Sequence, residues 1–208
     1  MSLVNIRNIY CVGRNYHLHA LELGNEVPTS PMIFTKPTHA LVAMNGGDIV
    51  IPKQQGEVHF ELEIVLRISD HYTSGMSAEQ AIDAFTLGLD LTLRDVQSKL
   101  KAKGYPWLPA KGFKQSATYG TWLPFVSLEQ INRSEFTLIR NGEIAQLGHP
   151  SDMIFSIEQL IAFIDTEYGL GAGDLIYTGT PAGVAKLDEG DQLEAQYNGE
   201  RIGSCIIQ

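Results

Sequence analysis

Residues 58–68, VHFELEIVLRI, alternate at period two. Val58, Phe60, Leu62, Ile64 and Leu66 fall on one face and His59, Glu61, Glu63 and Val65 on the other, which predicts a strand. The stretches RNIYCVG and PMIFTKPTHALV read as further short strands, and DIVIPKQQGEVHFELEIVLRI as two joined by a polar turn. SAEQAIDAF predicts a short helix, with Ser77 and Gln80 at capping-box spacing. FTLGLDLT then predicts a strand ending at Asp90, and TLRDVQSKL a helix starting at Thr92. Asn141-Gly142 and Asn198-Gly199 each lie between alternating stretches and predict hairpin turns. SIEQLIAFI is the clearest helix: Ile157, Leu160, Ile161 and Ile164 share a face, and Ser156 and Gln159 form a capping box. The pattern is strand-rich α+β. Strands do not alternate regularly with long helices, which argues against a Rossmann or barrel fold.

A chain of 208 residues with no internal repeat and no low-complexity linker predicts one domain, residues 1–208. With 44% hydrophobic and 19% charged residues, and apolar runs too short to span a bilayer, no membrane association is expected. MSLVNIRNIYCVG lacks the pattern of a signal peptide, so a cytoplasmic location is the expectation. Cys11 and Cys205 both sit in apolar stretches without a CxxC neighbour and read as buried thiols. The net charge of −9, with no basic cluster beyond KLKAKG, argues against nucleic acid as a partner. An acidic surface also repels anionic ligands, so an anion site here must bring its own positive charge.

Two carboxylates on one strand face repel, which costs stability unless water, a basic partner or a cation covers them. A wet strand face would explain Glu61 and Glu63 without chemistry. Asp90, at a strand end before a helix start, is a third carboxylate that could join them, or a helix cap. Three together would suit a hard oxygen-seeking cation such as Mg²⁺ or Mn²⁺. His19 and Glu22, at i and i+3, would meet if NYHLHALELG turns into a short helix, giving either a surface pair or an oriented base. Gly179 and Thr180 lie on a Gly/Pro-rich turn after a strand, where a hydroxyl and backbone N–H groups could hold an anion. Gln97, one turn into the helix after Asp90, could donate to a substrate oxygen or merely face solvent.

Six stretches in order along the chain resemble the fumarylacetoacetate hydrolase family: YCVGRNYHLHALE, FTKPT, VHFELEIVL, GLDLTLRDVQ, AKGFKQSA and GDLIYTGTPAGV. The resemblance implies a mixed β-sandwich roll with short peripheral helices, commonly homodimeric. It also implies that Glu61, Glu63 and Asp90 bind Mg²⁺ or Mn²⁺, with His59 a hydrogen-bonding neighbour rather than a fourth ligand. It makes Lys111 the lysine beside the metal, His19 and Glu22 the dyad that activates water, and Arg14, Gln97, Gly179 and Thr180 contacts for a small 2-oxo-acid substrate. The activity implied is metal-dependent hydrolysis of the C–C bond of an acylpyruvate such as fumarylpyruvate or acetylpyruvate, through a metal-bound pyruvate enolate. The same site would serve an oxaloacetate decarboxylase or a dienedioate isomerase of aromatic catabolism, and a chain that kept the fold without the chemistry would be a non-catalytic metal-binding protein. One position departs from the family pattern: Lys114 stands in AKGFK where an aspartate is usual, which bears on the far end of the substrate or on a loop contact.

Overall fold

The computed structural model describes residues 6–17 and 27–208. Its largest sheet has six strands, in spatial order Leu123–Pro124 (β10), Ile82–Leu89 (β7), Leu62–Ile68 (β6), Leu175–Tyr177 (β13), Ile9–Gly13 (β1) and Met32–Lys36 (β2). A five-stranded sheet runs Glu143–Gly148 (β12), Phe136–Arg140 (β11), Gln192–Tyr197 (β15), Glu200–Ile207 (β16) and Asn45–Ile49 (β4). Ala185–Lys186 (β14), Val58–Phe60 (β5) and Thr92–Leu93 (β8) form a small third sheet, and Leu41–Ala43 (β3) pairs with Ala117–Tyr119 (β9). β1–β13, β3–β9 and β4–β16 are parallel, and every other pairing is antiparallel. Five short helices among the described residues complete a strand-rich α+β fold: Ala78–Ala81 (α1), Arg94–Ala102 (α2), Leu108–Lys111 (α3), Leu128–Asn132 (α4) and Ile157–Tyr168 (α5).

The two larger sheets face each other, β15 and β16 packing on β7 and β11 on β6. Phe85 and Tyr197 meet edge to face between them at 4.9 Å. Phe60, Leu62, Ile64, Leu66, Leu87, Leu89, Phe136 and Leu138 form the buried layer there, which is the apolar face that the alternation predicts. The opposite face of the 58–68 stretch is not wet, since Glu61, Glu63 and Val65 are buried too.

The hairpin and long-helix expectations match the structure. Asn141 and Gly142, and likewise Asn198 and Gly199, carry the paired positive φ of a type I′ turn. α5 begins with the Ser156/Gln159 capping box and buries Ile157, Leu160, Ile161 and Ile164. Two helix expectations are corrected. The Ser77/Gln80 start is present, but α1 stops at Ala81 and Ile82 opens β7, whose partners β6 and β10 fix it as a strand. Thr92 does not begin a helix; it pairs with His59 in the small sheet, and α2 starts at Arg94. Cys11 and Cys205 are buried free thiols. No helix among the described residues is long and apolar enough to cross a membrane.

Candidate metal centre and active site

The strand carrying the glutamates is broken at Glu61. β5 ends at Phe60 in the small sheet and β6 begins at Leu62 in the six-stranded one, so Glu61 is the junction between sheets. A buried network pins the junction. Leu62 N–H donates to Gln146 Oε1 at 2.8 Å, Thr180 Oγ1 donates to Leu62 O at 2.8 Å, and Gln146 Nε2 donates to Thr180 Oγ1 at 2.9 Å. Asp90 N–H donates to Glu61 O at 2.9 Å, which sets the end of β7 beside the junction. Glu63, on β6, accepts a 2.7 Å hydrogen bond from Gly179 N–H. Gly179 holds φ +100°, and a Cβ there would lie 2.7 Å from Asn15 Cβ, so only glycine serves that approach.

Glu61, Glu63 and Asp90 thus meet, each offering an oxygen within 4.8 Å of the others, and all three are buried. Lys111 at the end of α3 places its ammonium 2.7 Å from Glu61 Oε2 and 2.6 Å from Asp90 Oδ2. Arg94 Nη2 pairs with Glu61 Oε1, and Arg94 Nη1 donates to Gln97 Oε1 at 2.8 Å. Lys36 Nζ lies 2.7 Å from Asp90 Oδ1 without the alignment of a hydrogen bond. Its protons go instead to the carbonyls of Leu91, Lys111 and Ser116. Three buried carboxylates face three cations. Asp90 Oδ1 is a buried acceptor with no hydrogen bond, and the donor set is oxygen alone, which fits a hard divalent cation such as Mg²⁺ or Mn²⁺.

The electrostatics agree. Burial raises the Glu63 carboxyl well above the ordinary 4.5, with Asp90 and Glu61 adding to the rise and the Gly179 N–H and Lys111 offsetting part of it. Burial by itself would lower the Lys111 pKa, but Asp90 and Glu61 outweigh it and hold the ammonium charged. The folded form therefore keeps the Glu63 proton to a higher pH than the unfolded chain does. As pH rises from 4.5 through the raised folded value, this group takes stability away from the metal-free protein. A bound cation favours the ionised carboxylate. The gain in melting temperature on adding Mn²⁺ is therefore expected to grow from about pH 5 to about pH 8, and a flat or falling gain would overturn this account.

Arg14, Gln97, Lys111 and Thr180 line the cleft that opens over the triad. Thr180 and Gly179 are engaged within the protein rather than free to grip an anion: the hydroxyl holds the Leu62 carbonyl, and the backbone N–H holds Glu63. His59 stands apart from the carboxylate group, 3.9 Å from Glu57 Oε2, and burial together with Arg94 lowers its pKa. Lys114 is exposed and borders a separate hollow with Val50 and Gln55, away from the cleft. His19 and Glu22 lie outside the described residues. Sequence reasoning missed Lys36 and Arg94 as site residues. Arg94 was detectable, one residue beyond the strand end in LDLTLR, whereas nothing local marks Lys36 as buried beneath three carbonyls.

The family model for the fumarylacetoacetate (FAA) hydrolase C-terminal region matches residues 8–208. A mitochondrial oxaloacetate decarboxylase of Dictyostelium discoideum is 37% identical over 195 residues, covering 93% of this chain and 89% of that protein. An oxaloacetate tautomerase of Escherichia coli K12 is 36% identical over 205 residues, covering 97% and 93%. The crystal structure of fumarylpyruvate hydrolase from Pseudomonas aeruginosa in complex with Mn²⁺ and pyruvate superposes with a TM-score of 0.88 at 30% identity, over 97% of this chain and 89% of that one. Sequence motifs, sheet order and the buried carboxylate group thus converge, and the chain belongs to the fumarylacetoacetate hydrolase family.

Proposed function

We propose that this chain is a divalent-metal-dependent enzyme that forms the enolate of oxaloacetate or a close 2-oxo diacid, and so tautomerises or decarboxylates it. The observation that carries the reading is the buried Lys111 ammonium, within 2.7 Å of two members of an all-oxygen cation seat. The identity of the substrate is supported by relatives 36–37% identical over more than nine-tenths of this chain, which are named for oxaloacetate.

When bound between Glu61, Glu63 and Asp90, the cation would polarise the 2-oxo group. The chain's own residues do the rest. Lys111 sets positive charge where the keto oxygen becomes an enolate, and the hydrogen bonds donated by the Gly179, Leu62 and Asp90 N–H groups fix that geometry before substrate arrives. Gln97, its Oε1 engaged by Arg94, keeps its amide N–H groups for a substrate oxygen. His19 is assigned the proton transfer at C3, with Glu22 as the carboxylate that would orient it. In tautomerisation it takes the proton from C3 while the C2 oxygen gains one from the medium, or the reverse. In decarboxylation the C3–C4 bond electrons become the enolate, carbon dioxide leaves and C3 takes a proton.

A second reading, acylpyruvate hydrolysis, is supported by the likeness to the fumarylpyruvate hydrolase structure. There the same dyad would activate water against the distal carbonyl. The deciding experiment follows enol absorbance and pyruvate release from oxaloacetate, and cleavage of acetylpyruvate and fumarylpyruvate, with Mn²⁺ and with EDTA. Metal-dependent action on oxaloacetate that disappears in Glu61→Ala is the expected result. Cleavage of acylpyruvates with no effect on oxaloacetate would move the protein to the hydrolase reading, and no action on any of them would leave a non-catalytic metal-binding protein.

A further inference from the structure

Helix α2 carries Arg94, Gln97 and Lys101 at i, i+3 and i+7, and all three border the cleft over the carboxylate group. One helix face therefore runs along the cleft wall. Arg94 is half-buried, Gln97 is buried and Lys101 is exposed. Seven residues span about 10 Å of helix, and long helical side chains lean back toward the N-terminus. Lys101 thus stands at the cleft mouth, one turn beyond the residue assigned to a substrate oxygen.

Arg14 borders the same cleft from β1's end of the six-stranded sheet. Its backbone sits at φ 58°, a conformation that non-glycine residues seldom adopt. The neighbour enforces it. Asn15 is fully buried, donates to Phe155 O at 3.1 Å and Thr178 O at 2.8 Å, and accepts from Phe155 N–H at 2.8 Å. A rigidly held loop presents Arg14, which is how strained backbone is used at binding sites.

Lys36, Lys111 and Arg94 are matched by the three carboxylates, whereas neither Arg14 nor Lys101 has a carboxylate partner among the described residues. Burial and the facing charges of Arg14 and Arg94 lower the Lys101 pKa, as expected where cations share a cleft without a counter-ion. In a chain of net charge −9 such a surplus of positive charge is local and built in. It sits farther from the carboxylate group than Lys111, which touches two of its members.

We propose that Lys101, together with Arg14, is the subsite for the far carboxylate of the substrate, and that it selects 2-oxo dicarboxylates over 2-oxo monoacids. This deepens the oxaloacetate reading and rests on it for the placement of the 2-oxo end. The test is isothermal titration of the Mn²⁺-loaded protein with 2-oxoglutarate and with 2-oxopentanoate, which replaces the far carboxylate by a methyl group. The unmodified protein is expected to prefer 2-oxoglutarate by about tenfold or more. Lys101→Met should bring the two within about twofold, Lys101→Arg should keep the preference, and added salt should shrink it. Equal affinities in the unmodified protein, an intact preference in Lys101→Met, or binding of neither acid would each overturn the proposal. Oxaloacetate turnover, run in parallel, separates the two readings. A 2-oxoglutarate preference that depends on Lys101 in a protein inert toward oxaloacetate overturns the proposed function and upholds the subsite. Turnover without the preference overturns the subsite alone. Where both hold, the loss of oxaloacetate kcat/KM in Lys101→Met is expected in KM.

Discussion

Replacing Glu63 with glutamine is expected to raise the melting temperature of the metal-free protein and to abolish the further rise that Mn²⁺ brings. Glu63 is buried beside two other carboxylates, so its ionised form is costly until a cation arrives. Glutamine keeps the shape, and its Oε1 can still accept the hydrogen bond that Gly179 N–H gives Glu63. What disappears is the charge. Removing a buried like charge from such a group should stabilise the metal-free fold by about 1–2 kcal/mol, a few degrees for a chain of this size. Cation affinity should fall by more than about 100-fold, because losing a ligand costs at least what losing a ligand's supporting partner does. Melting curves in EDTA and in excess Mn²⁺, with titration of the metal, read both effects. If the Mn²⁺ gain survives in Glu63→Gln, the three carboxylates are not the cation seat.

Much of this site was legible because its residues carry their signal locally. Glu61 and Glu63 stand out on an alternating strand, and Asp90 stands at the end of a run whose apolar pattern holds to Leu89. The Asn-Gly turns were equally plain, since only a few residues accept the positive φ found at Asn141 and Asn198. What failed was decided by distant partners. Nothing in VHFELEIVLRI shows that the strand changes sheets at Glu61, because the break follows from pairing of β5 with β14 and β8. The residues IDAF satisfy a helix locally, yet β6 and β10 claim them as a strand, a case of tertiary pairing overriding propensity. Lys36 reads as a lysine at a strand end. Its burial depends on carbonyls 55 to 80 residues away, which no window on the sequence contains. The Gly179-Thr180 turn was identified as part of the site, but its groups point inward to hold Glu63 and Leu62, and spacing cannot tell such support from ligand contact.

Replacing Lys111 with methionine should separate the ion-pairing seen in the structure from the catalytic job proposed for the same ammonium. In the metal-free protein it is a buried counter-ion, bonded to Glu61 and Asp90 at the floor of the cleft. Its loss leaves two buried carboxylates with less compensation, a change worth about 3–5 kcal/mol, or on the order of 10 °C in melting temperature. Lys36 and Arg94 remain on Asp90 and Glu61, which argues for the lower end of that range. A divalent cation carries two positive charges to the same oxygens, so saturating Mn²⁺ should restore most of the lost stability. Turnover should not follow. Charge stabilisation at a developing enolate requires a cation at a fixed place beside the substrate oxygen, and removing one such donor typically costs about 10²–10³ in rate. The expected pattern is therefore a protein that melts early in EDTA, recovers in Mn²⁺, and stays slow on its substrate in both. Recovery of activity together with stability would reduce Lys111 to a placeholder for the metal, and the enolate chemistry would then have to be carried by the cation and Gln97.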